Sequence, residues 1–271
     1  MRILIVGGDA RNRYLATLAR ARGHGVQLVG HDEIPLVEAV PCGCLVLPFP
    51  VAEKNGFAPA PLFAERLPME DVCALLEPRA TVYATRPGPV LSKYIIKQNC
   101  IRIDFMQSET FTVRNAVPSA EGAIHALMTR SATCIDGSVC LVVGYGRLGR
   151  ALALRLRGLG ARVIVAARSA AVRANAEIDG CHAVLLGEIG TVRCRFLINT
   201  VPAQVIGLEA LAGLGSGVKA VDLASAPFGF DLETAEAMGI EAWREPSLPG
   251  RYAPETAAAA MLEVIEERDG A

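Results

Sequence analysis

Residues 138–149 read SVCLVVGYGRLG, and residues 150–160 continue as RALALRLRGLG. An apolar, β-branched run, a glycine-punctuated turn and a helix-forming stretch follow one another without a gap. The spacing Gly144-Tyr145-Gly146-Arg147-Leu148-Gly149 is G-x-G-x-x-G. In that pattern the first glycine makes the tight strand-to-helix turn and the second lets a pyrophosphate approach the backbone. The third allows close helix–strand packing, and the helix N-terminus attracts the anion. A second apolar run, ARVIVAA at 161–167, arrives where a βαβ unit needs its next strand. The stretch predicts a dinucleotide site held by residues 144–149.

The far end of that second strand bears on which dinucleotide. NAD-type domains carry an acid for the ribose 2′-hydroxyl about 20 residues after the motif. Here the chain reads Ala166-Ala167-Arg168-Ser169, with no acid before Glu177. Arg168 and Ser169 suit a 2′-phosphate, so NADP is expected, with NAD possible. Later strand ends should line the nicotinamide side, because ligands bind beyond the carboxyl ends of parallel strands. They predict Thr200, Val201 and Pro202, then Leu223 and Ser225, as further cofactor contacts. Asp222 reads either as an acceptor holding its loop or as a catalytic group.

Outward from this unit, short apolar runs alternate with helical patterns along the chain. RILIVG (2–7), VQLVG (26–30), CLVLPF (44–49), ATVYAT (80–85) and CIRIDF (100–105) are strand candidates. Helices are expected near 13–22, 69–76 and 89–98. A second series follows residue 138, adding HAVLL (182–186), FLINT (196–200) and KAVDLA (219–224). Between these strands lie helices near 144–158, 170–176 and 230–238. The expected fold is α/β: two Rossmann-like, doubly wound parallel-sheet domains joined by helices. The boundaries fall at 1–114 for the first domain, completed by the helix in 252–271, and 115–251 for the dinucleotide domain. Residues 115–129, NAVPSAEGAIHALMT, open with turn chemistry at Pro118, Ser119 and Glu121 and continue as a bridging helix. Residues 49–68 lack periodicity and read as a long excursion at the sheet rim, a possible flap. Substrate is expected in a cleft between the strand ends of the two domains.

The first strand also ends in glycines, Gly7-Gly8-Asp9-Ala10-Arg11, but without the G-x-G-x-x-G spacing. An arginine at such a helix start suits a carboxylate. A plain turn with a solvated Arg11 is the other reading. Histidines are few: His24 and His31 fall in expected surface turns, and His182 opens an apolar strand. His125 lies on the bridging helix, as a core residue or a general acid. No histidine occurs between Asp222 and Pro254, which disfavours a 2-hydroxy-acid dehydrogenase with its late catalytic histidine.

Composition closes off other classes. The chain has 271 residues, 52% apolar and 20% charged, enough for about two cored domains. A net charge of −1 offers nothing to a nucleic acid or an anionic membrane, and no apolar run reaches a membrane span. The first residues, MRILIVGG, enter a strand pattern directly, with no secretory layout. The eight cysteines are scattered without CxxC or zinc spacing, so no metal site is expected; they read as small core residues in the reducing cytoplasm. Only four of the 27 basic residues are lysine, leaving 23 arginines, so a single arginine carries little weight.

Several stretches together resemble one family. VGGDAR (6–11), NAVPSAEGAI (115–124), GYGRLGR (144–150), AARSAA (166–171), INTVP (198–202), DLAS (222–225) and LPGRYAPETA (248–257) are similar to the A subunits of dipicolinate synthase. The segment 56–68 lies outside the resemblance. It implies NADP-dependent dehydrogenation of a dihydrodipicolinate-type dicarboxylate to pyridine-2,6-dicarboxylate during sporulation, with a partner in the form of a flavoprotein-like B subunit. It also implies Arg11 with the 7–10 backbone as one carboxylate clamp. Asn115, Ser119 and Glu121 would form a junction wall, with Pro249, Gly250 and Ala253 as the opposite loop. Glu121 is the candidate base, or a helix cap; Arg251 is available to the second carboxylate. Other readings are a dinucleotide-binding regulatory or scaffolding subunit whose partner does the catalysis, and a different NADP oxidoreductase acting on a small acid. A homo-oligomer is also possible.

Overall fold

The computed structural model describes residues 1–64 and 66–269. The chain divides into two compact units: residues 1–115 with 249–271, and residues 116–248. Both are Rossmann-like α/β folds.

Unit 1 is built on five parallel strands, β1 (Arg2–Val6), β2 (Gly25–Val29), β3 (Cys42–Val46), β6 (Leu76–Tyr83) and β7 (Ile101–Ile103), in the order β2-β1-β3-β6-β7. That is the 2-1-3-4-5 arrangement, whose direction of winding reverses between β1 and β3. The central strands read as unbroken apolar runs because helices cover both faces. Ile3, Leu4, Ile5 and Val6 are all buried. The chain returns to this unit through the short α9 (Leu248–Tyr252) and the C-terminal helix α10 (Pro254–Asp269). On one face α1 (Ala10–Ala21) packs through Leu15, Ala16 and Ala19 against Ala258, Met261 and Ile265 of α10. The other face is closed by α2 (Met69–Ala74), α3 (Pro89–Lys97) and the excursion 49–68.

The excursion is not a flap. Ala52, Ala58 and Leu67 are buried, and a two-stranded ribbon pairs β4 (Phe57–Ala58) with β5 (Leu67–Pro68). Ala52 N–H donates to the Thr85 carbonyl, and the buried Glu53 carboxylate accepts from the N–H groups of Val90 and Leu91 at the start of α3. Single tethers at irregular spacing leave no period in the sequence, which is why the segment reads as loose.

Unit 2 carries six parallel strands, β8 (Val139–Val143), β9 (Arg162–Ala166), β10 (His182–Val184), β11 (Phe196–Asn199), β12 (Lys219–Asp222) and β13 (Glu241–Arg244). Their order is β10-β9-β8-β11-β12-β13, the 3-2-1-4-5-6 dinucleotide arrangement. Helices α5 (Arg147–Gly158), α6 (Ala170–Ile178), α7 (Leu208–Leu214) and α8 (Leu232–Ala237) connect them. The sequence reading lacks α7 and β13; β13 is an edge strand in which only Trp243 is buried, so it has no apolar run to reveal it.

Helix α4 (Glu109–Thr129) carries the chain from unit 1 to unit 2 and corrects the turn expected at 115–121. It starts six residues earlier, where the Ser108 hydroxyl accepts from the Phe111 N–H, as an N-cap serine does. Pro118 sits inside the helix; it removes one N–H, a loss that the bonds on either side tolerate. His31 is buried and His182 exposed, the reverse of their sequence readings. His125 is exposed on α4, so it is not a core residue. Among the described residues no helix is long and apolar enough to cross a membrane, and none of the eight cysteines forms a disulfide.

Candidate dinucleotide site and the second glycine turn

In unit 2 the chain leaves β8 at Val143, whose register partners are Ala166 on β9 and Asn199 on β11. Strand order reverses here, so the carboxyl ends of β9 and β11 flank a crevice above β8. Gly144 takes φ +90°, and its N–H donates to the Ala166 carbonyl at 2.9 Å. A side chain at Gly144 would meet Thr200 Oγ1 and Val201 Cγ2 at 2.6 and 2.7 Å. At Gly149 a Cβ would lie 2.2 Å from the Gly144 carbonyl oxygen, so this glycine lets α5 start against the turn. Gly146 differs: a Cβ there meets nothing within 4 Å. It is also the N-cap of α5, which has no side-chain cap and no acid in its first turn. A helix start with no side-chain cap and no carboxylate suits an anion. The residues present therefore fit a pyrophosphate.

The rim is held by hydrogen bonds. Thr200 N–H and Oγ1 both donate to the Val143 carbonyl at 2.9 Å. Asn199, fully buried, donates to the Val201 carbonyl and to Asp222 Oδ1, and accepts from the Val201 N–H. Asp222 accepts from the N–H groups of Ala224 and Gly229 at 3.0 and 2.7 Å. Of its two sequence readings, the structure shows the loop-holding one. Leu223 is half-buried in that loop, while Ser225 and Pro202 are exposed. Arg168 and Ser169 are exposed at the end of β9, where the Arg173 guanidinium donates to the carbonyls of Ala167 and Arg168. Arg147 begins α5, and Leu148 is half-buried behind it.

Beneath the turn, the Tyr145 hydroxyl donates to Asp179 Oδ2 at 2.8 Å; Arg150 Nε donates to the same oxygen at 2.7 Å. Burial first, then the Asp179 carboxylate, pushes the Tyr145 phenol above its ordinary range.

The glycine turn of unit 1 has the same place in its sheet but is filled by its own chain. Gly7 and Gly8 take φ +58° and +85°; their N–H groups donate to the carbonyls of Val29 (2.8 Å) and Pro59 (2.7 Å). Asp9 caps α1 by accepting from the Arg11 N–H at 3.0 Å. The same carboxylate takes Arg11 Nε and Nη2 at 2.9 and 2.7 Å, and Nη2 also donates to the Phe49 carbonyl at 2.7 Å. Arg11 is only 3% exposed. Burial alone would raise the Asp9 carboxyl, but the hydrogen bonds and charge of Arg11 outweigh it and hold it below its ordinary value. This corrects both readings of the turn. Arg11 is not solvated, and the 7–10 backbone is no carboxylate clamp, because the turn's anion is Asp9 and its Gly8 donor is spent on Pro59. Gly250, on α9, is buried against the pair, where a Cβ would lie 2.5 Å from Asp9 Oδ2. Pro249 is buried beside it; Ala253 is half-buried, and Arg251 is exposed with its guanidinium 5.2 Å from the Tyr252 ring.

The wall expected from Asn115, Ser119 and Glu121 does not form as one surface. Asn115 and Ser119 are four apart on α4 and half-buried on one face. Glu121, two residues further, turns away, is largely exposed and pairs with Arg155 at 3.2 Å. It sits mid-helix, so it is no cap. Residues the sequence reading passed over include Asp9, which had a signal as the polar residue before a helix. His31 (which bonds the Gly7 carbonyl), Pro59 and Asp179 had none, being brought in by tertiary contacts.

Comparisons place this geometry. Residues 115–235 match the family model described as S-adenosyl-L-homocysteine hydrolase, NAD binding domain. The dipicolinate synthase A subunit of Bacillus subtilis is 26% identical over 98% of this chain and 95% of that protein. The crystal structure of the dipicolinate synthase A subunit from Bacillus halodurans has a TM-score of 0.88 at 27% identity, covering 98% of this chain and 96% of that one. D-lactate dehydrogenase from Escherichia coli shares the fold alone, with a TM-score of 0.61 at 11% identity over 100% of this chain and 98% of that one. The family match and the open G-x-G-x-x-G turn together support a nicotinamide dinucleotide as the cofactor of unit 2. In sequence and in fold, from end to end, the chain resembles dipicolinate synthase A subunits.

Proposed function

We propose that this chain is a dehydrogenase that takes NADP⁺ and converts a dihydrodipicolinate-type dicarboxylate into pyridine-2,6-dicarboxylate. The observation that carries the reading is the uncapped, acid-free start of α5 behind Gly144 and Gly146, in a chain similar along its whole length to dipicolinate synthase A subunits. Gly144, Gly146 and the first turn of α5 would hold the pyrophosphate, and Thr200, Val201 and the 223–225 loop would line the nicotinamide path. Arg168 and Ser169, with no acid beside them, favour a 2′-phosphate over a bare ribose. When bound, the dinucleotide supplies a hydride acceptor.

Aromatisation of the product ring lowers the demand on the protein for covalent help. Positioning and charge pairing are then sufficient contributions. Arg11 spends Nε and Nη2 on Asp9 and Phe49, so a contact with a substrate carboxylate would come from Nη1. A partner of the flavoprotein-like B subunit type and the cytoplasm as compartment complete the proposal; eight cysteines without a disulfide suit a reducing environment.

The test is the purified chain with substrate and NADP⁺, followed by the near-ultraviolet absorbance of reduced nicotinamide. Growth without any partner supports the enzyme reading. No growth with the chain alone, but growth once a B subunit is added, moves catalysis to the pair. Gly146→Val should abolish dinucleotide binding while lowering the melting temperature only slightly, since a Cβ there meets nothing within 4 Å. Retained affinity would show the turn to be structural.

A further inference from the structure

The corner between α6 and β10 lies away from the strand-end crevice of unit 2, yet three side chains from the dinucleotide turn and α5 converge on it. The Tyr145 hydroxyl donates to Asp179 Oδ2 at 2.8 Å. Arg150 grips the same carboxylate, Nε to Oδ2 at 2.7 Å and Nη2 to Oδ1 at 3.2 Å. From the other end of α5, Arg157 donates to the Asp179 backbone carbonyl. Gly180 follows with φ +78°, and a Cβ there would strike the Arg157 guanidinium at 2.5 Å. The hydrogen bonds of Arg150 and then Tyr145 hold the Asp179 carboxyl below its ordinary value, so it accepts as an anion.

We propose that Asp179 is a positioning residue for the dinucleotide, acting through Tyr145. The Tyr145 peptide lies between Gly144 and Gly146, the two residues that would admit the pyrophosphate. Glycines on both sides give that peptide torsional freedom, which a bound ligand would have to remove. The phenol, reaching down to a charged acceptor, fixes it in advance. Asp179 also holds the Arg150 guanidinium at this corner, away from the start of α5. This inference rests on the reading that unit 2 binds a nicotinamide dinucleotide.

The experiment titrates NADH and NADPH into the full chain by nicotinamide fluorescence, with melting temperatures measured alongside. Tyr145→Phe should weaken both dinucleotides by about 3- to 10-fold, the effect of one net hydrogen bond. The factor should be equal for the two, because the strut acts on the pyrophosphate they share. Asp179→Ala should weaken them at least as much. Asp179→Asn still accepts from the phenol and should stay within about threefold of the unmodified chain. Arg157→Gln cuts a different bond to the same corner, and should lower the melting temperature without changing affinity.

Unchanged affinity in Tyr145→Phe overturns the proposal, as does a loss confined to Asp179→Ala, which would assign the effect to Arg150. If Asp179→Ala fails to fold, Tyr145→Phe alone decides. Should Gly146→Val abolish binding while Tyr145→Phe leaves it intact, the inference fails and the cofactor reading stands. If the unmodified chain binds neither dinucleotide, both fall.

Discussion

Two glycine turns follow the first strand of two parallel sheets, and each stands where strand order reverses. They differ in what fills the space above them. After β1, the turn is closed from within: Gly8 donates to Pro59, Asp9 supplies the anion at the start of α1, and Arg11 neutralises it. After β8, the corresponding helix start has no cap, no acid and open space at Gly146. A helix N-terminus attracts whatever anion is nearest. In unit 1 that anion is built into the chain; in unit 2 the site is left for a ligand. Similar backbone devices therefore give a packed corner in one unit and a cofactor cradle in the other.

The sharpest way to break the contrast is Gly149→Ala. Its Cβ would lie 2.2 Å from a backbone oxygen that cannot step aside, so a loss of about 3–5 kcal/mol is expected. Dinucleotide binding should vanish with it. Chemical denaturation of this variant beside Gly146→Ala, which should cost little, checks the claim. Equal stability of the two would mean α5 is not packed against its own turn.

Arg11→Ala attacks the other turn. It leaves the mostly buried Asp9 carboxylate without its cation, at a cost of about 2–3 kcal/mol, below the range for a fully buried pair because Asp9 is a quarter exposed. Denaturation should register that loss while the NADPH titration of unit 2 stays unchanged, and turnover should fall at least about tenfold, the size of one lost charged partner. Normal stability would show that Asp9 is held by something else.

A smaller effect is expected at the end of β9. Arg168→Asp would set a carboxylate against the 2′-phosphate of the proposed NADP and should shift the NADPH-to-NADH affinity ratio by about tenfold towards NADH, one charge-assisted contact. An unmodified chain that binds both equally would remove the basis for NADP.

The smallest effect is a pH dependence in the closed turn. Asp9 titrates below its ordinary value in the fold. Its contribution is present above the unfolded-state value and is lost as pH falls through the folded-state value. The stability gap between the unmodified chain and Asp9→Asn should therefore narrow on acidification below about pH 4. A constant gap would mean the carboxylate's charge is not what closes the turn.

The sequence alone determined the two α/β series, the parallel sheets and the dinucleotide turn. Those are local facts: apolar runs buried on both faces, helices between them, and three glycines whose spacing is fixed by one strand-to-helix corner. The start of α4 carries a local signal too, the capping Ser108, while Pro118 marks a break in sequence that the packed helix does not make.

Only the tertiary structure decided which glycine turn is open. Pro59 reaches Gly8, and Phe49 and Gly250 reach Arg11 and Asp9, from 38 to more than 200 positions away, and Asp179 reaches Tyr145 across 34. Nothing in the local pattern of GGDAR says that its anion is its own aspartate and that the 49–68 excursion lies on top. Nor does NAVPSAEG say that Glu121 faces away from Asn115 and Ser119, since that follows from where the helix begins. Spacing along the chain specifies the backbone that can receive an anion. Which anion it receives depends on what the rest of the fold places within hydrogen-bond reach.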